Sequence, residues 1–304
     1  MKHQIIFFAW AVCTLAACNG NTKAGADSIA TAATDSLHFK SGYSDVNGIK
    51  MYYEIYGQGK PLILLHGGGS TIQTSFSSII PLLAMHRQVI AVELQAHGRT
   101  GDRNANLTFE QDAADVVKLL GNLKISKADL LGFSNGGHTA IEMAIHYPEV
   151  INKLILASTF YKRSAAAPQF WDGFDHTTLQ DMPQALQEGQ LKVNGNDTGT
   201  LQNTFNKDVQ RMKTFKGWTD EQMKSIKAPT LVINGNQDVG SIESAVEMYR
   251  IIPHGKLAIF PGGHGDYLEE TAFLDNDKIS NQKDLHLKDV LSMLQDRIYR
   301  SIKS

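Results

Sequence analysis

Along much of the chain, apolar residues come in short unbroken runs separated by stretches of helical periodicity. Residues 61–65, 88–93, 128–133, 153–158, 230–234 and 256–260 are such runs, five or six residues each and dominated by apolar side chains. Helical patterns fill several of the intervals, most clearly over residues 108–121 and 135–146. A strand buried on both faces reads as a continuous apolar run, and strands alternating with helices make a parallel sheet covered on both sides. Ahead of these runs, residues 43–46 and 51–56 flank Asn47-Gly48, the strongest short signal for a two-residue hairpin turn. The pattern therefore predicts an α/β fold with a mostly parallel sheet and an antiparallel hairpin at its edge.

One interval breaks the rhythm. Residues 160–227 separate two consecutive strands by 68 residues, far more than an ordinary connection between a helix and a strand. The segment carries Trp171, Phe174, Met182, Phe205, Met212, Phe215 and Trp218, too much apolar surface to stay in solvent. It is expected to form a mostly helical insertion, a cap over one end of the sheet. Residues 284–303 alternate apolar and charged positions at helical spacing and predict a terminal helix.

The amino terminus follows another logic. Residues 5–17 are apolar except for Thr14, with Lys2 the only formal side-chain charge before them. Thirteen residues are too few to cross a bilayer, which needs about 20, but they suit the apolar core of an export leader. The run ends in Leu15-Ala16-Ala17-Cys18, which resembles the lipobox of bacterial lipoproteins. That resemblance implies cleavage after residue 17, a lipid on Cys18 and a lipid-anchored protein of the bacterial cell envelope, periplasmic or outer-membrane. The alternative is an ordinary secretory leader in which Cys18 is incidental. Cys13 and Cys18 are the only cysteines, and Cys13 would leave with the leader, so an oxidising compartment would find no free thiol. Residues 18–37 are mostly small and polar, and read as a flexible tether to a folded domain over residues 38–304.

Composition narrows the class of partner. With 29 Lys and Arg against 31 Asp and Glu, the net charge of −2 lacks the basic excess of a nucleic-acid binder. Phosphate loops, dinucleotide fingerprints and haem motifs are absent, so no cofactor is expected. A small-molecule substrate is the expected partner.

The chemistry concentrates at glycine-rich turns. Gly132-Phe133-Ser134-Asn135-Gly136 lies between an apolar run and a helical pattern, the strand–turn–helix setting that makes G-x-S-x-G a nucleophile elbow. A serine hydroxyl attacks only if an imidazole takes its proton, and that imidazole needs an anion to orient it. Asp238 and His264 follow Ser134 in order, each just beyond the carboxyl end of a later strand, where open parallel sheets place ligands. Glu243, or an acid near the start of the insertion, is the alternative to Asp238. Among the eleven histidines, His66 and His97 precede the nucleophile, His254 falls at the wrong end of its strand, and His138 and His146 read as structural. His66-Gly67-Gly68-Gly69 follows the strand at residues 61–65 directly. Backbone N–H groups of Gly68 and Asn135 are the candidate oxyanion hole.

From about residue 39 to the carboxyl terminus, these motifs together resemble the α/β-hydrolase superfamily. The matching segments are His66-Gly67-Gly68, residues 93–100 with His97-Gly98-Arg99, the elbow at Ser134, Asp238 and His264. The resemblance implies an eight-stranded, mostly parallel sheet, helices on both faces, a helical cap over the site and a Ser134-Asp238-His264 triad. Glu93 stands where relatives usually carry Asp, and Asn135 where Met or Gln is common. A serine at the elbow disfavours epoxide hydrolases and haloalkane dehalogenases, which use aspartate there. The expectation is a hydrolase cleaving carboxylic esters or lactones of small to medium, partly apolar substrates through an acyl-enzyme. Hydrolysis of C–C bonds or proline-type aminopeptidase action by the same residues stays open. A binding protein that has lost the chemistry would usually lack a triad member. A metal hydrolase built on His264 and Asp266 has no tight ligand cluster in the sequence behind it.

Overall fold

The structure is a computed structural model and describes residues 38–268. Eight strands form one sheet in the order β1-β2-β4-β3-β5-β6-β7-β8. They are β1 (Phe39–Val46), β2 (Ile49–Tyr56), β3 (Pro61–Leu65), β4 (Gln88–Val92), β5 (Ala128–Phe133), β6 (Ile151–Ala157), β7 (Thr230–Gly235) and β8 (Gly255–Phe260). β1 and β2 pair antiparallel, as do β2 and β4, and every later pairing is parallel. The expected α/β class, strand number and edge hairpin are all present. Asn47 and Gly48 have φ of 44° and 92°, the doubly left-handed turn that Asn-Gly is suited to make.

The apolar runs became strands because both faces of the sheet are covered. β5 and β7 are buried along their whole length, and β3 and β4 at every residue but the first. The hairpin is longer than the alternation suggested, because β1 begins at Phe39, with Ser41 and Tyr43 on an exposed edge. β6 begins two residues early, at Ile151, and Ser158 drops out of it at φ 48°.

Helices α1 (Ile72–Phe76) and α2 (Ile80–Ala84) lead from β3 to β4. Helix α3 (Phe109–Asn122) opens where Thr108 Oγ1 accepts the Gln111 N–H at 3.0 Å. Helix α4 (Asn135–His146) starts directly at the elbow and is buried over its first ten residues. The insertion is helical, as expected: α5 (Pro168–His176), α6 (Gln184–Val193), α7 (Thr198–Lys213) and α8 (Asp220–Lys224), with a short 3₁₀ turn, Leu179–Asp181, between the first two. Helix α9 (Ile242–Ile251) then leads from β7 to β8. The expected leader, tether and terminal helix lie outside the described residues.

Because the strand order places β3 between β4 and β5, the chain leaves the middle of the sheet in both directions. The loops after β3 and β5 therefore diverge at one edge, and open sheets bind ligands at such a crevice. Every candidate site residue of the folded domain sits at this end.

Candidate active site

Ser134 is the one residue between β5 and α4, and it is held at φ 52° and ψ −119°. A non-glycine residue in that region stores strain and persists only where the surroundings over-determine it. Here the glycines enforce it. A Cβ on Gly132 would come within 2.3 Å of the Gly136 carbonyl oxygen, and one on Gly136 within 2.1 Å of the Leu65 carbonyl oxygen. The turn is thus packed against itself and against the end of β3, while the Ser134 N–H donates to the Ala157 carbonyl at 2.9 Å.

Ser134, Asp238 and His264 lie 104 and 26 residues apart in sequence and meet in space. His264 Nε2 is 3.0 Å from Ser134 Oγ, and Nδ1 is 2.6 Å from Asp238 Oδ1. Burial would raise the Asp238 carboxyl, but its bonds to His264 and Ser158, with the attraction of the ring, outweigh this and hold it below the ordinary range. An ionised carboxylate only accepts, so Nδ1 carries the proton, and Nε2 of the neutral ring is left to accept from the Ser134 hydroxyl. The Asp238 side chain is 1% exposed and takes further bonds from the Val239 N–H at 2.7 Å and the Ser158 hydroxyl at 2.5 Å. Ser158 in turn meets the Tyr267 hydroxyl at 2.7 Å. Neither Ser158 nor Tyr267 was signalled by any motif. Of the other acids considered, Glu243 lies in the first turn of α9, and Asp266 accepts the Gly263 N–H at 2.6 Å.

The glycine loop after β3 completes one wall. Ser134, Asn135, Gly67, Gly68 and Gly69 all border one cavity of about 410 Å³. A Cβ on Gly68 would lie 2.4 Å from Asn135 Nδ2, so a side chain there would have to displace the Asn135 amide. Asn135 opens α4, where first-turn N–H groups have no carbonyl within the helix to bond. The Gly69 N–H is committed elsewhere, donating to Asp208 Oδ2 at 2.6 Å.

That bond belongs to a buried network the sequence did not reveal. Asp208, on cap helix α7, also meets His97 Nε2 at 2.8 Å and Arg211 at 2.5 Å, and Arg211 reaches Asp112 at 2.7 Å. His97 Nδ1 faces the Gln95 carbonyl at 2.8 Å, so both ring nitrogens face acceptors. Burial opposes charge on His97, yet Asp208 beside it wins and raises its pKa. Asp208 is correspondingly held well below the carboxylate range: burial would raise it, and the charges of His97 and Arg211 dominate. Its only sequence signal was the i,i+3 spacing of Asp208 and Arg211; nothing local tied that pair to His97. Neighbouring His66 is neutral, with burial, then the charge on His97, pushing its pKa down to about 3.

The insertion's aromatic residues divide. Trp171, Phe215 and Trp218 pack into the core with Phe109, the Trp171 and Phe215 rings stacked at 5.7 Å and 8°. Phe170, Phe174 and Phe205, with Met182 and Met212, border the cavity, and of these Met212 is also part of that core. His138 borders it too, although the sequence reading made it structural.

Residues 60–214 match the alpha/beta hydrolase fold family. The 2-hydroxy-6-oxo-6-(2'-aminophenyl)hexa-2,4-dienoic acid hydrolase of Metapseudomonas resinovorans is 23% identical over 261 residues, covering 78% of this chain and 89% of that one. The proline iminopeptidase of Clostridioides difficile is 26% identical over 284 residues, covering 77% and 94%. Among solved structures, the enol-lactonase from Burkholderia xenovorans superposes with a TM-score of 0.64 at 19% identity, covering 78% of this chain and 98% of that one. A family match spanning half of the chain, and a superposition that covers nearly all of that solved structure, lead to one assignment: this chain is a hydrolase of the alpha/beta hydrolase fold family.

Proposed function

We propose that this protein is a serine hydrolase that cleaves carboxylic esters or lactones of small to medium, partly apolar substrates through an acyl-enzyme. The observation that carries this reading is the Ser134–His264–Asp238 relay, with contacts of 3.0 and 2.6 Å at the edge of a largely apolar cavity. In the proposed cycle, Ser134 Oγ attacks the ester carbonyl carbon as its proton passes to His264 Nε2. Asp238 stays ionised and steadies the imidazolium. The carbonyl oxygen, now an oxyanion, accepts from the Gly68 and Asn135 N–H groups, which are fixed beforehand and need no reorganisation. His264 then gives the proton to the departing alkoxide, leaving the acyl group on Ser134. Water repeats the sequence and restores the serine.

Hydrolysis of C–C or proline amide bonds would use the same relay, and the cavity wall weighs against both. Its carboxylates are Asp181 and Asp208, with no lysine or arginine among the described lining residues. A dienoic acid substrate brings a carboxylate, and no lysine or arginine on that wall is placed to receive it. An amino-terminal substrate needs a free acid deep in the site, but Asp208 is occupied by Gly69, His97 and Arg211, and Asp181 is solvent-exposed with its Oδ2 taken by Thr178. Activity should be measured against aryl esters of graded acyl length, lactones, a dienoate and proline amides. Neutral esters or lactones are expected to exceed the charged substrates in kcat/KM by at least about a hundredfold. A dienoate or a proline amide as the best substrate would contradict the ester assignment.

Export and lipid anchoring through Cys18 are part of the same proposal, and rest on residues 1–18 alone. Among the described residues, no helix is long and apolar enough to cross a membrane.

A further inference from the structure

Gly68 has no side chain to hold it, so the direction of its N–H depends on the two peptide groups that flank it. The peptide between Gly67 and Gly68 is pinned from the body of the domain. The Gly67 carbonyl faces His66 Nδ1 at 2.7 Å and accepts the Ser70 N–H at 3.3 Å. In a planar trans peptide the N–H points opposite to the carbonyl, so these contacts aim the Gly68 N–H away from His66. The peptide between Gly68 and Gly69 is pinned from the cap instead. The Gly69 N–H donates to Oδ2 of Asp208 on α7 at 2.6 Å, and a Cβ on Gly68 would lie 3.4 Å from that same oxygen.

Asp208 is itself held on both oxygens. Its Oδ2 faces His97 Nε2 at 2.8 Å, and its Oδ1 accepts from the Arg211 guanidinium at 2.5 Å. Arg211 also donates to Asp112 on α3 at 2.7 Å. The cap carboxylate is thus seated between two cations, and the seat belongs partly to the body of the domain, through His97 after β4 and Asp112. Burying such charges costs more than an apolar contact, and a hydrophobic pair of similar volume would dock a helix as well. A carboxylate does here what an apolar side chain cannot: it takes the Gly69 N–H.

We propose that Asp208 is a positioning residue that carries the seating of the cap into the oxyanion hole, so that the Gly68 N–H is aimed at the reacting carbonyl oxygen only while α7 is docked. The inference rests on the serine-hydrolase reading, with Gly68 as an oxyanion donor. Asp208 acts through the Gly68–Gly69 peptide and not on the substrate. Negative charge on the carbonyl oxygen develops only on the way to the tetrahedral intermediate, so loss of Asp208 weakens binding of that state and spares the ground state.

The test is Asp208→Asn. The amide keeps the shape of the side chain but has one acceptor oxygen for two claims, Gly69 and Arg211. The charged guanidinium takes that oxygen, and the amide NH2 is left facing the Gly69 N–H. On a short aryl ester, kcat is expected to fall by about ten- to a hundredfold, less than deleting an oxyanion donor outright, with KM within about twofold of wild type. An aryl trifluoromethyl ketone, which forms a tetrahedral oxyanion on a serine, should bind more weakly by the same factor as kcat. The matching secondary alcohol, which forms none, should bind as it does to wild type. If the asparagine variant does not fold, Asp208→Glu is measured instead, because it keeps the charge between His97 and Arg211 while moving the carboxylate, and it should show the same split. A folded variant with wild-type kcat and ketone affinity overturns the proposal. So does one whose KM and alcohol affinity suffer as much as kcat, since a cap that merely loosens weakens every ligand alike. Fluorophosphonate labelling of Ser134 in the wild-type preparation reports on the serine reading separately. Labelling together with an unaffected Asp208 variant defeats only the role of Asp208, while absence of labelling defeats the reading beneath it and the proposal with it.

Discussion

At the scale of single residues, Ser134 shows how a strained backbone position is imposed by its neighbours. Gly132 and Gly136 leave no space for side chains, so the sequence motif and the strain have one cause. Ser134, Asp238 and His264 were legible because each follows a strand directly. Ser158, which holds the outer oxygen of Asp238, was not, because a lone serine after a strand carries no pattern. Glu93 offers a prediction of another kind. It is fully buried and accepts from both the Arg99 N–H and the Arg99 guanidinium at 2.6 Å. Burial raises its pKa from 4.5 to about 7, against the pull of Arg99. A carboxyl whose pKa is higher folded than unfolded binds more protons in the native state over that interval. Its contribution to stability is therefore full below about pH 4.5 and is lost as pH rises through about 7. Glu93→Gln removes this titration, so its Tm relative to wild type should climb between pH 4.5 and 8. Thermal melts across that range check it; a difference that stays constant with pH would contradict the account.

At the scale of elements, the strands were the most legible part of the chain. β3 and β5 begin and end where the apolar runs do, since a fully buried strand has no amphipathic ambiguity. β1 was read short, because half of an edge strand faces solvent. The insertion was legible as helical, but its attachment to the site was not. Gln190 on α6 and Asp208 on α7 both reach the glycine loop, 121 and 139 residues away, and only packing decides such pairs. Gln190 donates to the Gly69 and Ser70 carbonyls at 3.1 and 3.0 Å and accepts the Gly98 N–H at 2.7 Å. Gln190→Ala would orphan three buried backbone groups, and destabilisation of about 2–4 kcal/mol is expected. Because Gly69 adjoins the candidate oxyanion donor Gly68, kcat should also fall, by about tenfold, at a temperature where the variant is folded. Chemical denaturation with steady-state kinetics checks both effects. A variant with unchanged stability and unchanged kcat would show that the cap does not hold the loop.

On the scale of the whole molecule, the chain divides its tasks along its length. Residues 38–268 carry the sheet, the cap and the cavity, while the proposed anchor depends on a few residues before Cys18. Cys18→Ala should release the protein from the membrane fraction, or block its maturation, with hydrolytic activity of the folded domain retained. Intact-mass spectrometry and fractionation decide this, and an unlipidated, fully soluble wild-type protein would contradict it. The fold and the hydrolase family were legible from hydrophobic runs and glycine turns. The substrate was not, because cavity chemistry depends on which rings line the wall and which pack beneath it. The central claim is that Ser134 is the nucleophile, and its most direct measurement is the turnover of Ser134→Ala on the best ester substrate. The variant should keep the wild-type circular dichroism spectrum while kcat falls by roughly 10⁴- to 10⁶-fold. A folded Ser134→Ala protein with near-wild-type turnover would contradict the account.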